Sequence, residues 1–122
     1  MIKIVVGGQI DKKEVAKLVE ENVGDKAEVV VKSDLDAAMS LKNNEADYYF
    51  GACNTGGGGA LAMAIAMIGR KNTATVSMPG NIMSDEEIAK EVQAGKRAFG
   101  FTAQHKEKVV PLIVSEILKK NQ

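Results

Sequence analysis

The sequence predicts an α/β fold: a single doubly wound domain over residues 1–122, with a parallel sheet of four to five strands and helices on both faces. Two observations predict it. Short β-branched or aromatic runs alternate with longer stretches of helical apolar spacing along the whole chain. No repeat, low-complexity tract or linker interrupts the alternation, and such alternation implies parallel pairing through helical crossovers.

Ile2 to Val6 reads as the first buried strand, with Gly7-Gly8-Gln9 as the turn after it. Asp11 is expected to cap a helix, with Glu14 completing a capping box. Val15, Leu18, Val19 and Val23 form its apolar stripe, and Gly24 ends it. Ala27 to Val31 is a second strand. Ser33 or Asp34 caps a second helix, with Leu35, Ala38, Met39 and Leu41 apolar and Asn43-Asn44 closing it. Tyr48 to Cys53 is a third strand, followed by Asn54-Thr55, four glycines and an apolar stretch ending at Gly69. From Ala60 to Met67 that stretch alternates Ala with larger residues, as a strand would. Ala, Leu and Met nevertheless favour a helix, on which Leu61, Ile65 and Ile68 share a face. Such a helix is apolar all round and must be buried in a core or against another subunit. Thr73 to Met78 is a fourth strand and Pro79-Gly80-Asn81 a turn. Ser84 with Glu87 is a capping box opening a helix that Gly95 ends. Ala98 to Thr102 is a fifth strand. The last helix runs from Lys106 to Lys120, starting late or kinking at Pro111. The favoured strand order is flavodoxin-like, 2-1-3-4-5. Its switch point would set Gly7-Gly8-Gln9 beside Cys53 and the glycines, at the carboxyl edge where such sheets bind ligands.

Composition bounds the function. Sixteen basic and sixteen acidic residues balance to zero, which argues against nucleic acid as a partner. The single cysteine excludes an internal disulfide, and no Cys/His cluster has zinc spacing, so no metal and no cofactor is expected. The N-terminus lacks the apolar region of a signal peptide, and the uncharged stretch is too short to span a bilayer. A cytoplasmic protein without membrane insertion is expected.

The candidate site lies at the turn after the third strand. Gly56, Gly57, Gly58 and Gly59 allow close backbone approach, and the helix they open offers unpaired N–H groups to an anion. Asn54 and Thr55 add side-chain donors, and Gly7, Gly8, Gln9 and Asn81 are expected to line the same edge. No charged residue lies between Tyr48 and Gly69, so no sequence neighbour repels an anion. The turn lacks the Gly-Lys-Ser/Thr of a Walker loop, and the alternative is that its glycines only let helix pack on strand. Cys53 is a candidate nucleophile because a helix N-terminus stabilises its thiolate, although a lone cysteine there also suits a core. His105, the only histidine, is a candidate base near the same edge; a histidine at a helix start is also often idle.

Two resemblances follow from these residues. Through Ile2 to Gly8 and Tyr48 to Gly59 the whole chain resembles an uncharacterised family of small, glycine-rich bacterial proteins of unknown function. That likeness brings no activity, but it suggests a gene neighbourhood with transport-like proteins and hence a transport-protein partner. Locally, Cys53-Asn54-Thr55-Gly56 with the glycines and helix is similar to the phosphocysteine loop of IIB components of the sugar phosphotransferase system. That resemblance implies a phosphoryl group on Cys53, cradled by Asn54 to Gly59. In those components the cysteine ends the first strand, whereas here it ends the third.

The expected function is a small-ligand or anion-binding module taking an anionic or phosphorylated ligand. The alternatives are a IIB-like phosphocarrier using Cys53 and a structural or assembly subunit. The sequence assigns no reaction. A homo-oligomer is expected, because the uncharged helix calls for a partner surface.

Overall fold

Strands joined through helical crossovers give a five-stranded parallel sheet in the computed structural model, which describes residues 1–55 and 58–122. The strands in chain order are β1 (Ile2–Gly8), β2 (Ala27–Val31), β3 (Tyr48–Cys53), β4 (Thr73–Thr75), β5 (Ser77–Met78), β6 (Asn81–Ile82) and β7 (Ala98–Thr102). The helices are α1 (Lys12–Val23), α2 (Asp34–Lys42), α3 (Gly58–Ile68), α4 (Asp85–Gln93) and α5 (Lys106–Lys120). The sheet has the order β2-β1-β3-β7-β4, while β5 and β6 pair separately as an antiparallel hairpin. Gly8 and Ala52 are register partners, so the ends of β1 and β3 are adjacent as expected.

Two expectations about the strands are corrected. The order is not 2-1-3-4-5, because the chain's last strand inserts between β3 and β4. The residues explain the exchange. Every residue of β7 is buried, which fits a central strand covered on both faces, whereas β4 has three residues and suits an edge. The fourth strand is also not continuous from Thr73 to Met78. Val76 still donates its N–H to Gly100 O at 2.9 Å, but its carbonyl accepts from Met83 N and the chain turns into the hairpin. Gly80, at φ +75°, closes that turn.

Helices cover both faces. Ile4, Val6, Phe50, Phe99 and Phe101 pack with α1, α4 and α5 into the larger core. Val5, Tyr49 and Ala98 face the other way and pack with Leu41 of α2 and with Leu61 and Ala64 of α3. Here too the sequence needs correction. Asp11 sits at the start of α1 in a left-handed conformation and makes no side-chain cap; its carboxylate pairs with Lys106 Nζ at 3.3 Å instead. Of the two expected caps of α2, Ser33 takes the role, accepting from Asp36 N at 3.1 Å. Of the apolar positions of α2, Leu35 and Met39 are 51% and 36% exposed. The capping box of Ser84 and Glu87 forms as expected, and α5 runs continuously from Lys106 through Pro111. Among the described residues no helix is long and apolar enough to cross a membrane.

Candidate functional site

The site is assembled where β1, β3 and β7 end. Gly8 has φ +82°, and a Cβ there would stand 2.6 Å from Ala52 N, so both conformation and space require glycine. Gln9 N–H then donates to Ala52 O at 2.9 Å, turning the chain across the end of β3. The Gln9 carboxamide lies against the first turn of α3: a Cβ on Gly59 would meet its Oε1 at 2.5 Å. Gly7, Gly8, Gln9 and Gly59 are therefore brought together. Gly58 opens α3, while Gly56 and Gly57, also expected in the site, lie outside the described residues.

Cys53 is 2% exposed, and its Sγ lies 3.5 Å from the hydroxyl of Thr55, which is exposed along with Asn54. Cys53 and Thr102 are register partners on neighbouring parallel strands, so their side chains share the α3 face of the sheet. Thr102 is only 4% exposed, and its Oγ1 has no hydrogen-bond partner among the described residues. Its N–H is satisfied by Ser77 Oγ at 3.0 Å. His105 follows in a short 3-10 turn, and its Nδ1 is likewise buried without a partner among the described residues. Lys106 beside it is engaged by Asp11 and Glu107, each at 3.3 Å. Burial opposes the lysine's charge, but these carboxylates outweigh it and raise its pKa.

Tyr49 and Asp34 reach the edge as well. The Tyr49 hydroxyl contacts Asp34 Oδ1 closely and Ala60 O at 2.7 Å, and Asp34 Oδ1 accepts from Gly8 N at 3.1 Å. Burial first, then the bond to Asp34 and its charge, push the phenol well above its ordinary pKa. An acidic group thus stands near the first turn of α3, although none lies near it in sequence.

Asn81 is not part of this constellation. It is exposed on β6, opposite Met78, and lines a separate cavity of about 290 Å³ with Thr75, Ser77, Met83 and Glu87. A wide groove, about 760 Å³, lies at the opposite, amino edge among Met1, Tyr48, Arg97 and Asn121. Among the described residues no group of three or more His, Cys, Asp or Glu is placed to hold a metal. Sequence reasoning missed Tyr49, the bond that joins it to Asp34, and the pairing of Thr102 with Cys53. Thr102 could have been found by pairing the third and fifth strands; with the order 2-1-3-4-5 it lands two strands away.

Comparisons with known proteins fit this architecture. The pattern of the family described as "Protein of unknown function DUF2620" matches residues 2–117. "Uncharacterized protein YhfU" of Escherichia coli strain K12 is 40% identical over 117 residues, covering 96% of this chain and 99% of that protein. Its namesake in Shigella flexneri matches equally. Among solved structures, the Trypanosoma brucei type B ribose 5-phosphate isomerase superposes with a TM-score of 0.70 at 14% identity, over 96% of this chain and 85% of that one. At that identity the likeness is one of fold.

Proposed function

The chain belongs to the family described as protein of unknown function DUF2620, and we propose that it is a small-ligand-binding module whose carboxyl-edge site takes an anionic, phosphate-bearing ligand. The observation that carries this reading is Thr102 Oγ1, buried without a partner among the described residues. It stands beside Cys53, on the face that α3 covers with its uncharged start. A buried hydroxyl without a partner is costly, and a ligand oxygen would relieve it. The first N–H groups of α3 need acceptors of the same kind. The Gln9 carboxamide and the Thr55 hydroxyl supply neutral donors around them. The structural neighbour's name adds a chemical class, since ribose 5-phosphate is a small sugar phosphate. Asp34 holds anion affinity down, as does the engagement of Lys106 by carboxylates. Burial of Cys53 tells against a phosphocarrier, whose thiolate must meet a partner's phosphoryl group.

Titration with inorganic phosphate and with ribose 5-phosphate, read by amide shifts, tests the reading. Shifts concentrated at residues 7–9, 54–60 and 102–105 are expected. A response spread evenly over the surface, or none, rejects it.

A homo-oligomer is a second element of the proposal. The α3 helix carries no charge, exposes Ala62, Ala66 and Met63 (40%), and neighbours the exposed Leu35 and Met39 of α2. Burying this face between copies accounts for an apolar surface in contact with water. Light scattering is expected to give a multiple of the 13.0 kDa chain mass, falling to the monomer in Met63→Glu. A wild-type monomer rejects it.

A further inference from the structure

Tyr49 is fully buried, yet its hydroxyl lies at the carboxyl edge among polar groups. Its ring gets there over two glycines. Gly7 and Gly51 are register partners on β1 and β3. A Cβ on Gly7 would stand 2.7 Å from Tyr49 Cε2, and one on Gly51 2.8 Å from Cε1. The two missing side chains open a channel along the sheet that the ring fills. A phenylalanine would fill it equally well, so packing alone does not call for the hydroxyl. Burying a hydroxyl costs free energy unless it is bonded.

This hydroxyl is bonded in a particular way. Its single proton is shared between two acceptors, Asp34 Oδ1 at the start of α2 and the Ala60 carbonyl, 2.7 Å away, in the first turn of α3. Asp34 Oδ1 in turn accepts from Gly8 N, in the β1 turn. Three loops of the carboxyl edge therefore converge on one phenol. Burial keeps that phenol protonated, so it remains a donor. The geometry points to Tyr49 as the positioning residue of the glycine-turn site: its hydroxyl ties the first turn of α3 to Asp34 and Gly8, holding the helix N-terminus over the edge of the sheet. For its ligand this role rests on the anion reading above; the tie between the loops does not.

Tyr49→Phe separates the two. The expected result is faster hydrogen exchange at the amides of Ala62 to Ala64, whose helical acceptors lie in the first turn, by about three- to tenfold relative to Ala66 to Ile68. The dissociation constant for inorganic phosphate is expected to rise by a similar factor. A merely structural tyrosine would instead speed exchange throughout the chain. Unchanged exchange at 62–64, or uniform acceleration, overturns the role. So does wild-type phosphate binding that Tyr49→Phe retains in full. If the wild type binds no phosphate, the anion reading fails and the exchange pattern alone decides the tie. If Tyr49→Phe does not fold, Asp34→Ala, which leaves the Ser33 cap in place, carries the exchange measurement with the same expected outcome, and unchanged exchange at 62–64 overturns the tie.

Discussion

The two edges of the sheet are built on opposite terms. At the amino edge the groove is wide, and several long polar side chains around it are engaged. Arg97 donates to the carbonyls of Leu41, Ala46 and Asp47, Lys120 to that of Gln93, and Lys96 to that of Lys71. The Asp47 carboxylate takes Lys3 N. At the carboxyl edge Gly7, Gly8, Gly51 and Gly59 stand where side chains would clash, and two buried side-chain atoms, Thr102 Oγ1 and His105 Nδ1, have no partner among the described residues. The groove and the unmet hydrogen-bonding capacity lie at different ends of the molecule. Unmet capacity is the better guide to a ligand, because a buried polar group without a partner costs free energy and an empty groove does not.

The largest effect should come from the backbone of the carboxyl edge. Gly8→Ala forces a Cβ against Ala52 N in a left-handed conformation, and denaturant melts should record a loss of about 2–4 kcal/mol. An unchanged midpoint would mean that this edge tolerates side chains as the amino edge does. Arg97→Ala is the counterpart at the amino edge. It takes a donor from three carbonyls, of which Leu41 O keeps the Asn44 N–H, and should cost about 1–2 kcal/mol while leaving the phosphate-induced shifts at residues 54–60 unchanged. If those shifts vanish in a folded Arg97→Ala protein, the assignment of structure to one edge and binding to the other is broken.

Thr102→Val is a smaller and sharper test. It removes a hydroxyl that has no partner among the described residues but keeps the shape, so stability should stay level or rise by up to about 1 kcal/mol. Phosphate affinity should fall about three- to tenfold. A clear loss of stability would reveal a partner for the hydroxyl and remove the observation on which the site rests.

The smallest effect concerns α4, whose N-terminus is already satisfied. Glu87 accepts from Ser84 N at 2.9 Å, and this bond lowers its pKa. A carboxylate whose pKa is depressed on folding stabilises above its unfolded value and loses that contribution as pH falls through the folded one. Glu87→Gln retains a capping side chain, so wild type and variant should differ near neutrality and converge below the ordinary carboxylate value of 4.5. Thermal melts across that range check it. A constant gap would place the difference in the cap's geometry rather than its charge.

Much of this contrast was legible in the sequence. Tyr48 to Cys53, the uncharged helix, the Ser84 capping box and the adjacency of β1 and β3 all follow from local composition and alternation. What local reading could not supply was long-range. The phenol of Tyr49 meets Asp34, 15 residues away in sequence, and Thr102 reaches Cys53 through a strand order that alternation alone does not fix. Asp11 misled because its sequence context is that of a cap, whereas Lys106, distant in sequence, takes its carboxylate. The exposure of Leu35 and Met39 likewise depends on where α2 and α3 meet.

The strand order also sets a timetable for folding. Among the described residues β4 joins the sheet through β7 alone, so its three residues have no strand to pair with until residues 98–102 are present. During synthesis β1, β2 and β3 can zip together early, since each pairs with a neighbour already made. The sheet closes only when the last strand slots between two older ones, a step of high contact order that should limit the refolding rate. A nascent chain ending before Ala98 would therefore hold β3 with one side open, and a chaperone is expected to engage it at that length.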